Sequence, residues 1–168
     1  MSVGAGTVGS MAEAIKYVVG DATKPNGPGP WIIAHVCNDA GGWGKGFVLA
    51  LSRRWQEPED AYRSWYRERA TNDFALGAVQ IVNVSQGLYV ANMVGQHGYR
   101  PGSSGPPVRY EAIGTALSVL GGETLDLHAS VHMPKIGCGL VGGRWELVEP
   151  LIVEHLVSRS IAVTAYDL

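Results

Sequence analysis

Four of the seven residues from Gly137 to Gly143 are glycine. They close the run Pro134-Lys135-Ile136-Gly137-Cys138-Gly139-Leu140-Val141-Gly142-Gly143, which follows a short β-like stretch, Ser130 to Met133, and precedes a helical pattern starting near Trp145. Without a Cβ, backbone can take positive φ, approach a ligand closely and let successive N–H groups converge on one anion. The following helix adds unpaired N–H groups and the positive end of its dipole. Such a loop suits a phosphate or diphosphate. Glycines used only to pack a tight turn are the competing reading.

A second loop has the same grammar. His35-Val36-Cys37-Asn38-Asp39-Ala40-Gly41-Gly42-Trp43-Gly44-Lys45-Gly46 leaves the apolar run Trp31 to Ala34 and enters another helical pattern. Two strand–glycine loop–helix units suggest an open α/β sheet, whose ligands bind beyond the carboxyl ends of its strands. Neither loop is a standard nucleotide fingerprint. The first has no Lys-Ser/Thr ending, and the second has no acidic residue at the Rossmann spacing.

The chain has 168 residues, enough for one domain with a sizeable core. Residues 1–14 read as a flexible tail or cloning remnant, and 15–168 as a single domain. Met1 to Ser10 lacks a charged n-region and is not a signal peptide. A net charge of −2 argues against a general electrostatic grip on nucleic acid. No segment is apolar for long enough to span a membrane. Two cysteines, Cys37 and Cys138, suggest a reducing, cytoplasmic setting. Cys37 beside His35 is a weak metal or nucleophile signal, and a small buried side chain explains it better. Cys138 among glycines suits a reactive thiol, but no base neighbours it in sequence, which favours packing.

Hydrophobic patterning predicts strands over Ile15 to Val19, Trp31 to Val36, Val79 to Val84, Leu88 to Met93, Ser130 to Met133 and Ile161 to Tyr166. Helices are predicted over Phe47 to Trp55, Pro58 to about Ala70, Arg109 to Leu120, closed by Gly121-Gly122, and Trp145 to Ser158. Ser85-Gln86-Gly87 joins an antiparallel hairpin, so the sheet is mixed. Tyr62, Trp65 and Tyr66 recur at helical spacing and read as core. Asp21, at the end of the first strand, can accept from a ligand amine or close an Asx-turn into Ala22-Thr23. Val94 to Pro107 is the longest irregular stretch, where Gln96, His97 and Arg100 either reach a ligand or face solvent.

Taken together, these residues resemble the macrodomain family of ADP-ribose-binding modules. The resemblance runs from Ile15 to the C-terminus. It is carried by Val19-Gly20-Asp21, the Asn38 to Gly46 loop, Val90-Ala91-Asn92-Met93 leading into Gln96-His97-Gly98, and the Pro134 to Gly143 loop. Gly137-Cys138-Gly139-Leu140 is similar to the ALC1-like branch, with its TARG-type hydrolases and Poa1-type phosphatases. The resemblance implies a three-layer α/β/α fold with a mixed, mostly parallel central sheet. It also implies that Asp21 takes the adenine amine, that the Gly41 to Gly46 loop lines the distal ribose, and that Gly137 to Gly143 cradle the diphosphate. The implied ligand-binding set is Asp21, Ala22, His35, Gly42, Trp43, Gly44, Gly46, Asn92, Gly137, Cys138, Gly139, Leu140, Val141, Gly142 and Gly143.

The departures bear on mechanism. TARG-type enzymes carry a lysine just after the strand matching Leu88 to Met93, and an aspartate just after Gly-Cys-Gly-Leu. Here Val94-Gly95-Gln96 and Val141 stand there, so a lysine Schiff base is not expected. The expected activity is hydrolysis of mono-ADP-ribose esters, on protein glutamate or aspartate or as O-acetyl-ADP-ribose. Asn38, Asp39, Gln96 and His97 are the candidates for holding or activating water. No cofactor or metal is expected, and ADP-ribose is ligand or product. ADP-ribosylated proteins are the expected partners of a monomer. A non-catalytic reader of ADP-ribose is the main alternative. An ADP-ribose-1″-phosphatase is another, with Arg100 as its candidate cation.

Overall fold

The computed structural model describes residues 14–98, 106–138 and 142–168. The N-terminal tail, Arg100 in its loop, and Gly139, Leu140 and Val141 lie outside the described residues. Strands are β1 (Lys16–Val19), β2 (Trp31–Asn38), β3 (Val79–Ser85), β4 (Leu88–Gln96), β5 (Ser130–Pro134) and β6 (Val163–Asp167). Helices are α1 (Phe47–Arg54), α2 (Glu57–Arg67), α3 (Tyr110–Leu127) and α4 (Trp145–His155). The sheet runs β1-β6-β5-β2-β4-β3. Every neighbouring pair is parallel except the β3–β4 hairpin. This is the expected mixed, mostly parallel sheet between helical layers.

β2 lies inside the sheet, between β5 and β4, and its continuous apolar run is what burial on both faces requires. Ile32 and Ala34 enter one core with Met93, Val131 and Met133, under Ile113, Leu117, Leu120 and Ile152 of α3 and α4. Ile33 and Cys37 enter the other with Val90 and Val94, under Leu51, Tyr62 and Trp65 of α1 and α2. Each fully buried Leu or Ile contributes roughly 1.5–3 kcal/mol over its exposed state. The two cores pin the sheet from both sides and hold the strand ends, where the site forms.

Several boundaries differ from expectation, among them α2, which ends at Arg67, and β6, which starts at Val163. First, α3 does not close at Gly121-Gly122. It continues to Leu127 and ends at His128, whose φ of 54° is left-handed. Gly121 instead permits close approach: a Cβ there would sit 2.2 Å from Arg159 Nη1 and 2.9 Å from the His155 carbonyl. Second, β2 and β4 run on to Asn38 and Gln96, which pair with each other beyond a register shift at Cys37/Asn38. Such irregularities bend a strand and re-aim its side chains. Third, α4 stops at His155 and a short 3-10 turn, Val157–Arg159, follows. Among the described residues, no helix is long and apolar enough to cross a membrane.

Candidate functional site

A cavity of about 710 Å3 opens at the carboxyl ends of β2 and β5. One wall is the end of β2 with the loop into α1, from His35 to Asn38 and Gly42 to Val48. The opposite wall is Pro134 to Cys138, with Gln96 and Arg63 completing the rim. Ligand cavities of roughly 300–1,000 Å3 are usual for small molecules and cofactors. Lys45, Arg63 and Lys135 are among the lining residues, and no carboxylate residue is among the described ones. The lining itself is cationic, which suits an anion, and behind it Arg63 pairs with Glu59 at 2.9 Å and Lys135 with Asp167 at 3.5 Å.

Asn38 organises the first loop. Its Oδ1 accepts from Ala40 N–H at 2.9 Å, Gly42 N–H at 3.0 Å and Tyr62 O–H at 3.0 Å. Its Nδ2 donates to the Gly42 carbonyl at 2.9 Å. Tyr62 O–H also donates to the Asn38 main-chain oxygen at 2.6 Å and accepts Gly41 N–H at 3.1 Å. An Asx-type turn is therefore anchored to the floor of α2. Gly41 takes φ of 82°, where a Cβ would meet the Tyr66 ring at 2.6 Å, so only glycine fits. Burial pushes the Tyr62 hydroxyl pKa up, which keeps it a donor.

His35 and Asn92 form a closed relay under this loop. Asn92 Nδ2 donates to Pro58 O at 3.1 Å and Gln80 Oε1 at 3.0 Å, so its Oδ1 is the acceptor that faces His35 Nε2 at 2.5 Å. His35 thus carries its proton on Nε2. Its Nδ1 is buried without a partner. Burial lowers its pKa to about 4, against a modest opposing effect of Asn92, so the ring is neutral near pH 7. Its ring packs edge-on against Trp43 at 5.4 Å. Burial pushes the Cys37 thiol up, which removes it as a nucleophile. Among the described residues no three His, Cys, Asp or Glu side chains are grouped to hold a metal.

Several expected site residues fall elsewhere. Asn92 is fully buried in that relay and does not border the cavity. Its position on β4 beside β2 puts it between sheet and α2, so it supports His35 rather than a ligand. Asp21 Oδ1 accepts from Thr23 N at 2.8 Å and Thr23 Oγ1 at 2.7 Å. This is the Asx-turn alternative, and those hydrogen bonds lower the Asp21 pKa. Asp21 and Ala22 lie outside the cavity wall. Asp39 and His97 also lie outside it and hold each other: Asp39 Oδ2 meets His97 Nδ1 at 2.7 Å, and Oδ1 accepts Gly98 N–H at 2.8 Å. That pair ties the β4 exit to the β2 loop. Asn38 and Gln96 of the four catalytic candidates do border the cavity, as do His35, Gly42, Trp43, Gly44 and Gly46.

In the second loop Gly137 and Cys138 border the cavity. Gly137 has φ of 73°. A Cβ on Gly143 would sit 1.6 Å from the Gly137 carbonyl oxygen, so the loop closes on itself through glycine backbone. Gly142 and Gly143 lie off the cavity wall. Gly142 borders a separate depression of about 380 Å3 with Pro106 and Arg109. Cys138 Sγ donates to Ile136 O at 3.4 Å, and burial raises its pKa. Arg63 carries no motif in the sequence; its one local signal is Glu59 a turn earlier on a helix that alternates charged residues with Tyr62, Trp65 and Tyr66.

The fold and this cleft define a three-layer α/β/α module with an anion-favouring cavity between two glycine loops. No family model matches the sequence. The solved macrodomain protein from Streptomyces coelicolor is 59% identical, covering 92% of this chain and 99% of that one, with a TM-score of 0.83. The chain belongs to the macrodomain family. It is 32% identical over 163 residues to the Chromodomain-helicase-DNA-binding protein 1-like of Danio rerio, matching over 91% of its own length but spanning only 15% of that relative. It is 25% identical to the ADP-ribose 1″-phosphate phosphatase of Lodderomyces elongisporus, over 91% of this chain and 99% of that protein.

Proposed function

We propose that the cavity binds ADP-ribose and that the protein hydrolyses mono-ADP-ribose esters, either on glutamate or aspartate of proteins or as O-acetyl-ADP-ribose. The observation that carries the binding reading is a cavity of about 710 Å3 lined by two glycine loops and three cationic residues. The Gly137 side suits the diphosphate and the Gly42 to Gly46 side the distal ribose. The relative named for acting on ADP-ribose 1″-phosphate supports a ligand of this class, and the Gly-Cys-Gly-Leu wording supports placement in the ALC1-like branch.

The chemistry works without the lysine–aspartate pair. β4 runs through Val94-Gly95-Gln96, and a Cβ at Gly95 would meet Ile113 Cγ1 at 2.8 Å, so a longer side chain there would displace the core. Asn38 uses one of its two Nδ2 protons on Gly42. The second is free to donate to a ribose hydroxyl or to a water held near the reacting carbon. Gln96, whose Nε2 donates to Gly98 O at 3.2 Å, keeps its carbonyl oxygen to accept a hydrogen bond from that water or hydroxyl. Positioning alone supplies a large part of a barrier reduction when the reacting atoms are held in a near-attack pose. An acyl ester is activated enough for that. Asp39 and His97 act as the tether behind Asn38 and Gln96.

The reader alternative has one specific support: no described carboxylate residue borders the cavity to serve as a general base. Titration calorimetry with ADP-ribose, followed in the same sample by release of ADP-ribose from a glutamate-linked protein, separates the readings. Binding with release is expected. Binding without release makes the protein a reader, and absence of binding removes the ligand assignment.

A further inference from the structure

We propose that Arg63 forms an oxyanion subsite at the Gly41–Gly42 end of the cavity, reading the group joined to the distal ribose carbon of the ligand. The inference rests on the ADP-ribose reading above. Arg63 reaches the cavity wall from α2, an element separate from both glycine loops. Its Nε donates to Glu59 Oε2 at 2.9 Å, one helical turn back, and its Nη1 approaches the Gly41 carbonyl at 3.4 Å. Glu59 is itself held, because its Oε1 accepts from Ser52 Oγ at 2.9 Å, and Ser52 Oγ accepts Trp43 Nε1–H at 2.8 Å. Burial works against ionisation of Glu59, but the hydrogen bonds from Arg63 and Ser52 outweigh it and hold its carboxyl below the usual range. The relay Trp43–Ser52–Glu59–Arg63 therefore fixes the guanidinium to a buried ring of the cavity wall.

What remains exposed is the working edge. The contact from Nη1 to Gly41 is long, and Nη2 makes no hydrogen bond among the described residues. A guanidinium anchored through Nε presents its two terminal nitrogens as a fork that fits a carboxylate or phosphate. The β2–α1 loop that Arg63 touches is the one assigned to the distal ribose. In ester hydrolysis, water oxygen forms a bond to the distal ribose carbon while the bond from that carbon to the acyl oxygen breaks. The electron pair leaves with the acyl group as a carboxylate, and the surplus proton of the water passes to solvent. Arg63 compensates the charge growing on that oxygen. A phosphate monoester at the same carbon presents the same oxyanion chemistry already in its ground state.

The test compares wild type with Arg63→Ala and Arg63→Lys against three ligands: ADP-ribose, ADP-ribose 1″-phosphate and a glutamate-linked mono-ADP-ribosylated peptide. Binding is read by stopped-flow tryptophan fluorescence before turnover, and kcat/KM by ADP-ribose release. Arg63→Ala is expected to keep the Kd of ADP-ribose within twofold and to lose tenfold or more for at least one substituted ligand. Arg63→Lys, a charge without the fork, is expected to fall between. Loss on the peptide marks the carboxylate as the group read, and loss on the phosphate marks the phosphoryl group. Equal loss on all three ligands, or none on either substituted one, overturns the proposal. Failure of wild type to bind ADP-ribose instead overturns the reading beneath it.

Discussion

Asn38 separates loop architecture from ligand chemistry, and two substitutions distinguish them. Asn38→Ala removes the acceptor for Ala40 N–H, Gly42 N–H and one branch of Tyr62 O–H, and the donor to Gly42 O. Tyr62 keeps its bond to the Asn38 main chain. Three lost bonds at about 1 kcal/mol each, partly recovered by water in the open cavity, amount to about 2–3 kcal/mol. Urea denaturation should show this as a lower midpoint at unchanged slope. Asn38→Asp keeps an acceptor for the two loop N–H groups, so its stability loss should be smaller. It places a negative charge on the cavity wall. At a separation of roughly 8 Å from a ligand phosphate and an effective dielectric of about 20, the repulsion is roughly 2 kcal/mol. Calorimetry should then show about a 30-fold weaker Kd for ADP-ribose. Asn38→Ala as stable as wild type would refute the pinning role. Unchanged ADP-ribose affinity in Asn38→Asp would refute placing the anion in this cavity.

Three other outcomes follow from the geometry. Burial depresses His35 and His132 to about 4 from 6.5, so between those values the unfolded chain binds protons the native state refuses; stability should fall with falling pH across that window, by up to about 1.4 kcal/mol per pH unit for each ring. A flat urea midpoint between pH 6.5 and 4.5 would contradict this, and His132→Gln should reduce the slope. Gly121→Ala should destabilise by about 1–3 kcal/mol, because its Cβ meets the His155 carbonyl at 2.9 Å. Gly122→Ala, with nothing within 4 Å, should raise the melting temperature through helix propensity; equal signs in the two variants would contradict the close-packing account. Cys138→Ser should retain hydrolysis, and iodoacetamide should label wild-type Cys138 slowly at pH 7, since burial disfavours the thiolate.

Element type was legible wherever periodicity and burial agreed, as in β2 and α2. Boundaries failed where tertiary contacts overrode local signals. Gly121-Gly122 looks like a helix stop, yet the helix passes through because α4 and the Arg159 turn need the missing Cβ. The glycine loops announced the cavity, since a backbone that must approach a ligand leaves its mark in composition. Asn92 lies buried against His35 and off the cavity lining, a setting that sequence does not reveal because a polar residue on an interior strand looks the same in either place. Arg63 was missed for the opposite reason: it comes to the site from a helix with no motif, and only the packing of α2 beneath the β2 loop brings it there.

The distribution of buried polar groups explains why this cavity can be rigid without carboxylates. Asn38 with Tyr62, and Asn92 with Gln80, form two separate sets of neutral hydrogen bonds, in which neighbouring carbonyls dictate the amide orientations of Asn38 and Asn92. A neutral scaffold positions the loop N–H groups, while Arg63 is paired with Glu59 and Lys135 with Asp167 behind the cavity wall, and Lys45 makes no ion pair among the described residues. A carboxylate in the same scaffold would oppose a ligand phosphate by roughly 2 kcal/mol at about 8 Å and an effective dielectric of about 20. The same absence removes a strong general base. Under the proposed hydrolase function such a site would work by holding an ester and a water in register, and Asn38→Asp, which adds a carboxylate to the cavity wall, should weaken ADP-ribose binding.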